Sequence, residues 1–451
     1  MKGIFASAIV LGLIGVSFVA CSSGGSSSTP PTTEYALTVQ ISPSGEGTVA
    51  ASPNNTQYAS GTVVTLTATA ASGYMFSNWT GDAAGTANPT TVTMNGNKTV
   101  TANFASYKMF AYVANGGNGE GNVSAYAIDP NTGALTEITG SPFAAGGTSF
   151  SVAVDPTGTY AYVANWGSNN VSAYAINSST GALTEITGSP FTAGTNPISV
   201  AVDPTSKFAY VVNYTDGTVS AYTINSSTGA LTEITGSPFA AGGAGALSFS
   251  VAVDPTGKFV YVANENSADV SAYTINSSTG ALTEITGSPF ASGTYPYSVT
   301  VDPTGKFAYV ANGGFMDAGT VSAYTINSST GALTEITGSP FAAGTYSFSV
   351  TVDPTGKFAY VVNESSDDIY AYTINSSTGA LTEITGSPLA AGDEPRSVAV
   401  DPTGKFAYVA NEISSDIYAY AINSSTGALT EITAIVGGNS PLCVTTIRIK
   451  Q

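Results

Sequence analysis

At 451 residues the chain exceeds one ordinary hydrophobic core, so several domains or a repeat array are expected. Hydrophobic residues make up 43% and charged ones only 9%, with 50 glycines, a balance that excludes a helix-rich protein or a disordered acidic chain and favours strands. A net charge of -18 sets nucleic acid aside as a partner, since affinity for a phosphate backbone comes from Lys and Arg.

The N-terminal residues 1–20 combine Lys2, an apolar stretch from Ile4 to Val19 and the small Ala20 just before Cys21, the pattern of an export signal peptide. The stretch is short for a membrane span and small residues interrupt it, which argues against a transmembrane anchor. Phe18-Val19-Ala20-Cys21 resembles the bacterial lipoprotein box, with Phe18 where that box carries Leu. The resemblance implies lipidation at Cys21 and a protein anchored in the cell envelope, at the outer membrane, on its periplasmic or surface-exposed side. With Cys21 so used only Cys443 remains, and an intrachain disulfide framework is excluded. Residues 21–35, almost entirely Ser, Gly, Thr and Pro after the cysteine, form a flexible tether.

Between residues 36 and 105, β-branched runs (Leu37 to Ile41, Val63 to Ala68, Thr99 to Phe104) alternate with Gly, Pro and Asn turn signals and predict a small strand-rich domain. The strings GTVVTLTATAASGYMFSNWTGD and NKTVTANF resemble the divergent internalin B-type repeat of bacterial surface proteins. That resemblance implies a β-grasp-like spacer or adhesion module. So small a domain needs Trp79 and Tyr74 for its core, which outweighs a ligand-stacking role for them.

The remainder, residues 107–451, is periodic. YVAN or YVVN begins at Tyr112, Tyr162, Tyr210, Tyr261, Tyr309, Tyr360 and Tyr408, at intervals of 50, 48, 51, 48, 51 and 48 residues, the length of a four-stranded propeller blade. Each period holds four strand-like runs, a to d, such as SVTVDP, KFAYVV, IYAYTIN and ALTEITGS. Asp-Pro-Thr-Gly between a and b is a type I turn signature, and Asn-Ser-Ser-Thr-Gly joins c to d with residues that bond their own backbone or tolerate positive φ. Every d run carries one Glu, from Glu137 to Glu431, a charge that guards an outer edge against pairing with another chain. The first period lacks its a strand, whereas the tail Ser440 to Ile447 matches Asn196 to Asp203. The C-terminus is therefore expected to complete the first blade and close a ring of seven.

These strings resemble the YVTN β-propeller repeats and, more broadly, the seven-bladed lactonase propellers that include bacterial 6-phosphogluconolactonase. The resemblance spans residues 107–451; it implies an all-β, seven-bladed β-propeller and, as an activity, hydrolysis of a sugar lactone.

In an up-and-down blade the a–b and c–d turns leave one face and the b–c and d–a loops the other. Between copies the a–b and c–d turns barely change, while the b–c and d–a loops vary, which marks their face as the candidate binding surface. It gathers Trp166, Tyr214, Asp216, Glu265, Asp269, Phe315, Asp317, Glu364, Asp367, Asp368, Arg396, Glu412 and Asp416, with Glu120, Asp393 and Glu394 beside them. So many acids around one Arg read either as a surface that attracts cations, metal ions or a basic partner, or as a solvated rim that keeps the protein soluble. No metal-binding loop motif occurs, and no cofactor or metal is expected.

Catalysis is constrained by residue type. With no histidine in the chain, a Ser-His-Asp triad and a His-ligated zinc are excluded. A phosphosugar lactonase also calls for Arg or Lys over the phosphate, and the five b-strand lysines (Lys207, Lys258, Lys306, Lys357, Lys405) follow the a–b turns onto the opposite face. A carboxylate pair involving Asp317, Asp367 or Asp368 across the channel mouth stays open as a glycosidase arrangement. Cys443 takes the place of a serine in the other a strands and reads as a small buried hydrophobe rather than a reactive thiol. Three functions follow: a monomeric, non-catalytic platform that binds a protein, glycan or envelope polymer, a lactone hydrolase, or a structural envelope protein without a discrete ligand.

Overall fold

The computed structural model describes residues 33–119, 121–242, 245–314 and 318–451. The export signal, Cys21 and most of the tether, together with Glu120, Phe315 and Asp317, lie outside the described residues. Among those described there is no α-helix; the regular structure is strand, apart from one short 3-10 turn at Gly117–Gly119.

The N-terminal module contains a three-stranded antiparallel sheet of Gly47–Ser52, Val63–Ala70 and Thr90–Thr93. In Val63–Ala70 alternate residues are buried, as a sheet with one wet face requires. Val64, Leu66, Trp79, Val92, Met94 and Val100 fill its core. Trp79 is 1% exposed and its indole Nε1 donates to the Ala87 carbonyl at 2.9 Å, so it is a core residue, as its size in so small a domain demands.

The second blade sets the propeller pattern: strand a is Ser149–Val154, b Tyr160–Asn165 and c Asn170–Ile176, all antiparallel. At the a–b turn the Gly158 N–H donates to the Asp155 carbonyl at 2.8 Å and Gly158 takes a φ of +70°, as its Asp-Pro-Thr-Gly sequence calls for. The buried Asp155 carboxylate accepts the N–H groups of Thr157, Thr159 and Tyr160 at 3.1, 2.7 and 2.6 Å, which satisfies a charge that would otherwise oppose folding. Asp203, Asp254, Asp302, Asp353 and Asp401 repeat the arrangement.

The outer strand departs from expectation. In the second blade d is two pieces: Leu183–Glu185 pairs with the end of c, and Phe191–Thr192 with its start. Gly188-Ser189-Pro190 interrupts it, because proline has no N–H for the ladder; the Ser189 Oγ takes the part of a strand carbonyl and accepts the N–H of Ala173 at 3.0 Å. The first six blades share this break. In the seventh, where Thr433-Ala434 replaces the interruption, d runs unbroken over Leu429–Val436 and pairs along the whole of c.

The inner a strands form a closed circuit, with Pro441–Lys450 between Pro395–Val400 and Ser149–Val154. As expected from the sequence, this tail strand pairs antiparallel with the first b strand, Cys443 opposite Ala114, Thr445 opposite Tyr112 and Lys450 opposite Tyr107. Two relays of hydrogen bonds bind blade to blade. The YVAN tyrosines, all fully buried, donate to the glycine carbonyl of the next blade's c–d turn: Tyr112 to Gly181 at 2.8 Å, Tyr162 to Gly229 at 2.9 Å, and so on round to Tyr408, which reaches Gly133 of the first blade at 2.9 Å. The c-strand tyrosines donate the other way, to a d-strand carbonyl of the preceding blade, Tyr222 to Thr192 at 2.6 Å for example, and Tyr126 to Val436 of the seventh at 3.2 Å.

Replacing Tyr408 by Phe leaves the buried Gly133 carbonyl without its donor, and urea unfolding is expected to show a loss of about 1–2 kcal/mol, with Tyr112→Phe and Tyr210→Phe costing nearly the same. Removal of residues 440–451 uncovers the first b strand, so the unfolding transition is expected to broaden and shift well below that of the full chain; an unchanged midpoint would contradict ring closure.

Candidate functional site

Three rings of seven residues build one end of the channel. Each a strand carries a one-residue bulge, as in the register shift between Ser149 and Ser151, and the bulged residue is Phe150, Ile198, Phe249, Tyr297, Phe348, Arg396 or Leu442. A bulge re-aims a side chain, and all seven line a cavity of about 410 Å³ at the mouth. Above them the residue ending each d–a loop, namely Thr148, Asn196, Leu247, Tyr295, Tyr346, Glu394 or Ser440, has a φ between 49° and 63°. Its carbonyl accepts the N–H of the first b–c residue: Trp166 onto Thr148 at 2.9 Å, Tyr214 onto Asn196 at 3.0 Å, Glu265 onto Leu247 at 3.0 Å, Glu364 onto Tyr346 at 2.9 Å. Of the twelve described non-glycine residues with positive φ, eleven lie in the d–a and b–c loops and only Ser206 lies elsewhere, so backbone strain collects on this face.

Below the bulges the channel narrows to a ring of Ser151, Ser199, Ser250, Ser298, Ser349, Ser397 and Cys443. Each serine Oγ accepts a backbone N–H from the next blade, Ser199 from Val251 at 3.2 Å and Ser397 from Val444 at 3.1 Å, so the hydroxyls are joints of the ring. The half-buried Cys443 thiol lies 3.9 Å from the Val152 carbonyl, and burial pushes its pKa up, which keeps it protonated and unreactive near neutral pH.

The thirteen residues singled out from the sequence divide into three groups. Trp166, Tyr214, Glu265, Arg396 and Glu412 line the cavity, and Glu364 joins them through Arg396. Asp216, Asp269, Asp367, Asp368 and Asp416 do structural work instead. The Asp269, Asp368 and Asp416 carboxylates accept from the Nδ2 of the buried Asn264, Asn363 and Asn411 at 2.7, 2.7 and 2.8 Å, fixing the start of strand c. Asp216 and Asp367 accept the N–H of Thr195 and Glu394 at 2.6 and 2.9 Å, tying b–c to d–a loops. Asp367 and Asp368 are thus engaged by the backbone and by a buried asparagine; Phe315 and Asp317 lie outside the described residues. Among the described residues no three His, Cys, Asp or Glu side chains cluster so as to hold a metal.

Sequence reasoning missed the aromatic floor. Phe249 meets Tyr214, Tyr297 and Phe348 edge to face at 5.9, 5.0 and 5.4 Å, and Tyr297 stacks on Phe348 and Tyr346 at 5.2 Å. Its signal was present, since the residue just before each channel Ser or Cys runs Phe, Ile, Phe, Tyr, Phe, Arg, Leu while its neighbours repeat.

Arg396 is the cation of this mouth, and it is spent. Its guanidinium bonds Glu364, Glu412 at 2.5 Å and Glu394 at 3.2 Å, and lies over the Phe348 ring at 4.7 Å. Burial, then the neighbouring Glu394 and Glu412 charges, raise the Glu364 pKa to about 6 against the pull of Arg396. Burial also raises Glu265, while the nearby Tyr214 and Tyr297 hydroxyls work against that rise.

Comparison with known proteins agrees with this architecture. Residues 149–347 and 338–446 match the family model described as lactonase, 7-bladed beta-propeller, and residues 37–108 match the divergent InlB B-repeat domain. A provisionally assigned 6-phosphogluconolactonase from Bacteroides uniformis superposes with a TM-score of 0.65 at 21% identity, over 76% of this chain and 99% of that one. A like-assigned protein from Bacteroides fragilis gives 0.65 at 24%, over 75% and 98%. The periplasmic gluconolactonase of Pseudomonas aeruginosa gives 0.63 at 18%, over 76% and 99%. At these identities the likeness is one of fold. No curated protein matches the chain.

The Glu364 carboxyl yields a test. Its folded pKa of about 6 lies above the ordinary 4.5, so the folded state holds more protons between those values and stability falls as pH rises through them. With solvent screening of the partly exposed carboxyl, the contribution is about 1 kcal/mol. Urea unfolding at pH 4.5 and pH 7 is expected to show that component in the parent chain and its absence in Glu364→Gln; parallel pH profiles would contradict it.

Proposed function

This chain belongs to the family of seven-bladed β-propeller lactonases, and from that premise we propose that it is an exported, lipid-anchored envelope protein whose propeller serves as a non-catalytic binding platform. The observation that carries the reading is the state of Arg396. An enzyme acting on a phosphosugar needs an unpaired cation at the mouth, and here that guanidinium is held by three carboxylates. The chain has no histidine to act as a base near neutral pH, and Asp216, Asp269, Asp367, Asp368 and Asp416 are engaged in holding loops and core asparagines. What the cavity offers is aromatic surface under strained, variable loops, the equipment of recognition. The lipoprotein part rests on the Lys2 to Cys21 signal and the tether that follows. The partner is then a protein, glycan or polymer of the envelope.

The second reading is hydrolysis of an uncharged sugar lactone. It is favoured by the family and by the gluconolactonase of similar fold, and it needs no phosphate site.

Two measurements decide between them. The purified protein is expected to hydrolyse neither gluconolactone nor its 6-phosphate ester above the buffer rate, and a saturable rate on either would establish the second reading. Envelope fractions are expected to retain the protein, and a variant whose b–c loops all carry one uniform sequence is expected to be released.

A further inference from the structure

Resting on the platform reading, we propose that the channel mouth is a cage for an alkylated ammonium head carried on a larger molecule. Two independent features point to a cation of this kind. The first is the wall: Trp166, Tyr214, Phe249, Tyr297, Tyr346 and Phe348 line one cavity of about 410 Å³. Ring contacts hold five of them in fixed mutual orientation, and Trp166, 38% exposed, stands at the rim. Aromatic faces carry negative quadrupole charge and attract cations.

The second feature is charge. The mouth sets one guanidinium against Glu265, Glu364, Glu394 and Glu412, so the cavity remains negative after Arg396 has taken its partners. An anion is repelled there. A neutral sugar would look for free donors and acceptors along the wall, yet the Tyr297 and Tyr346 hydroxyls bond each other at 2.6 Å and the loop aspartates are occupied. A bare primary ammonium is strongly hydrated and loses more on leaving water than an alkylated one, which gains dispersion contact with the rings. Glu265, the first residue of its b–c loop and set between Tyr214 and Tyr297, supplies the counter-charge. The cavity exceeds a single trimethylammonium group, so the remainder of the ligand extends outward along the variable loops.

The test is calorimetric titration of the detergent-solubilised full chain with choline, with its uncharged isostere dimethylbutanol in which carbon replaces nitrogen, and with methyl glucoside. Choline is expected to bind and to change the fluorescence of Trp166, the exposed one of the two tryptophans, with the isostere at least about tenfold weaker. Glu265→Gln, nearly isosteric and checked by its melting temperature, is expected to weaken choline about tenfold and leave the isostere unchanged. Equal affinity for the isostere, preference for methyl glucoside, or no binding of choline would overturn the cage. If choline fails while envelope fractions still retain the protein, only the ligand class falls; loss of both overturns the platform as well.

Discussion

A hydroxyl bond repeated seven times holds the architecture together. Each YVAN tyrosine reaches across to the glycine carbonyl of the next blade's c–d turn, and the seventh returns to the first. The geometry requires a tyrosine fully buried between sheets, a glycine whose positive φ turns its carbonyl toward the neighbour, and a turn that fixes that glycine, Asn-Ser-Ser-Thr in six blades and Asp129-Pro130-Asn131-Thr132 in the first. This explains why the c–d turn hardly varies: it is part of a joint, while the a–b turn is held by its own buried aspartate. The opposing relay from the c-strand tyrosines fixes the outer half of every sheet, so neighbouring blades are pinned at two radii.

Freed of that duty, the opposite end of the toroid can differ from blade to blade. The bulge in each a strand and the left-handed residue before it are backbone features, present whatever side chain sits there. Leu247, Tyr346 and Glu394 share one conformation although nothing in their chemistry favours it. The scaffold thus imposes the strain and the side chains are left to choose the ligand. That division of labour places an aromatic floor beside a clamped arginine without disturbing the sheets beneath.

Much of this could be read from the sequence, for identifiable reasons. The period of YVAN, the Asp-Pro-Thr-Gly turns and the match between the tail and Asn196 to Asp203 are local signals of backbone geometry, and they gave the blades, their order and their closure. The split of strand d is written in Gly-Ser-Pro, although ALTEITGS reads by pattern as one continuous run. The site was only half visible. Charge alone could not separate Asp269, Asp368 and Asp416, which support buried asparagines, from Glu265 and Glu412, which face the cavity, because that depends on whether a residue opens or ends the b–c loop. The floor escaped because a bulge breaks the alternation by which strand faces are assigned.

The closing strand differs from its six counterparts. It spans ten residues where they span six, and its pairing continues past Phe110 to Met109, Lys108 and Tyr107. Near-identical blades carry a hazard, since an inner strand could settle against the wrong neighbour and give a toroid short by one. Pro441–Lys450 has both a length and a sequence of its own, and the first b strand is the one long enough to match it. The divergent tail is therefore matched in length to one partner alone, a fit that the six-residue b strands of the other blades do not offer.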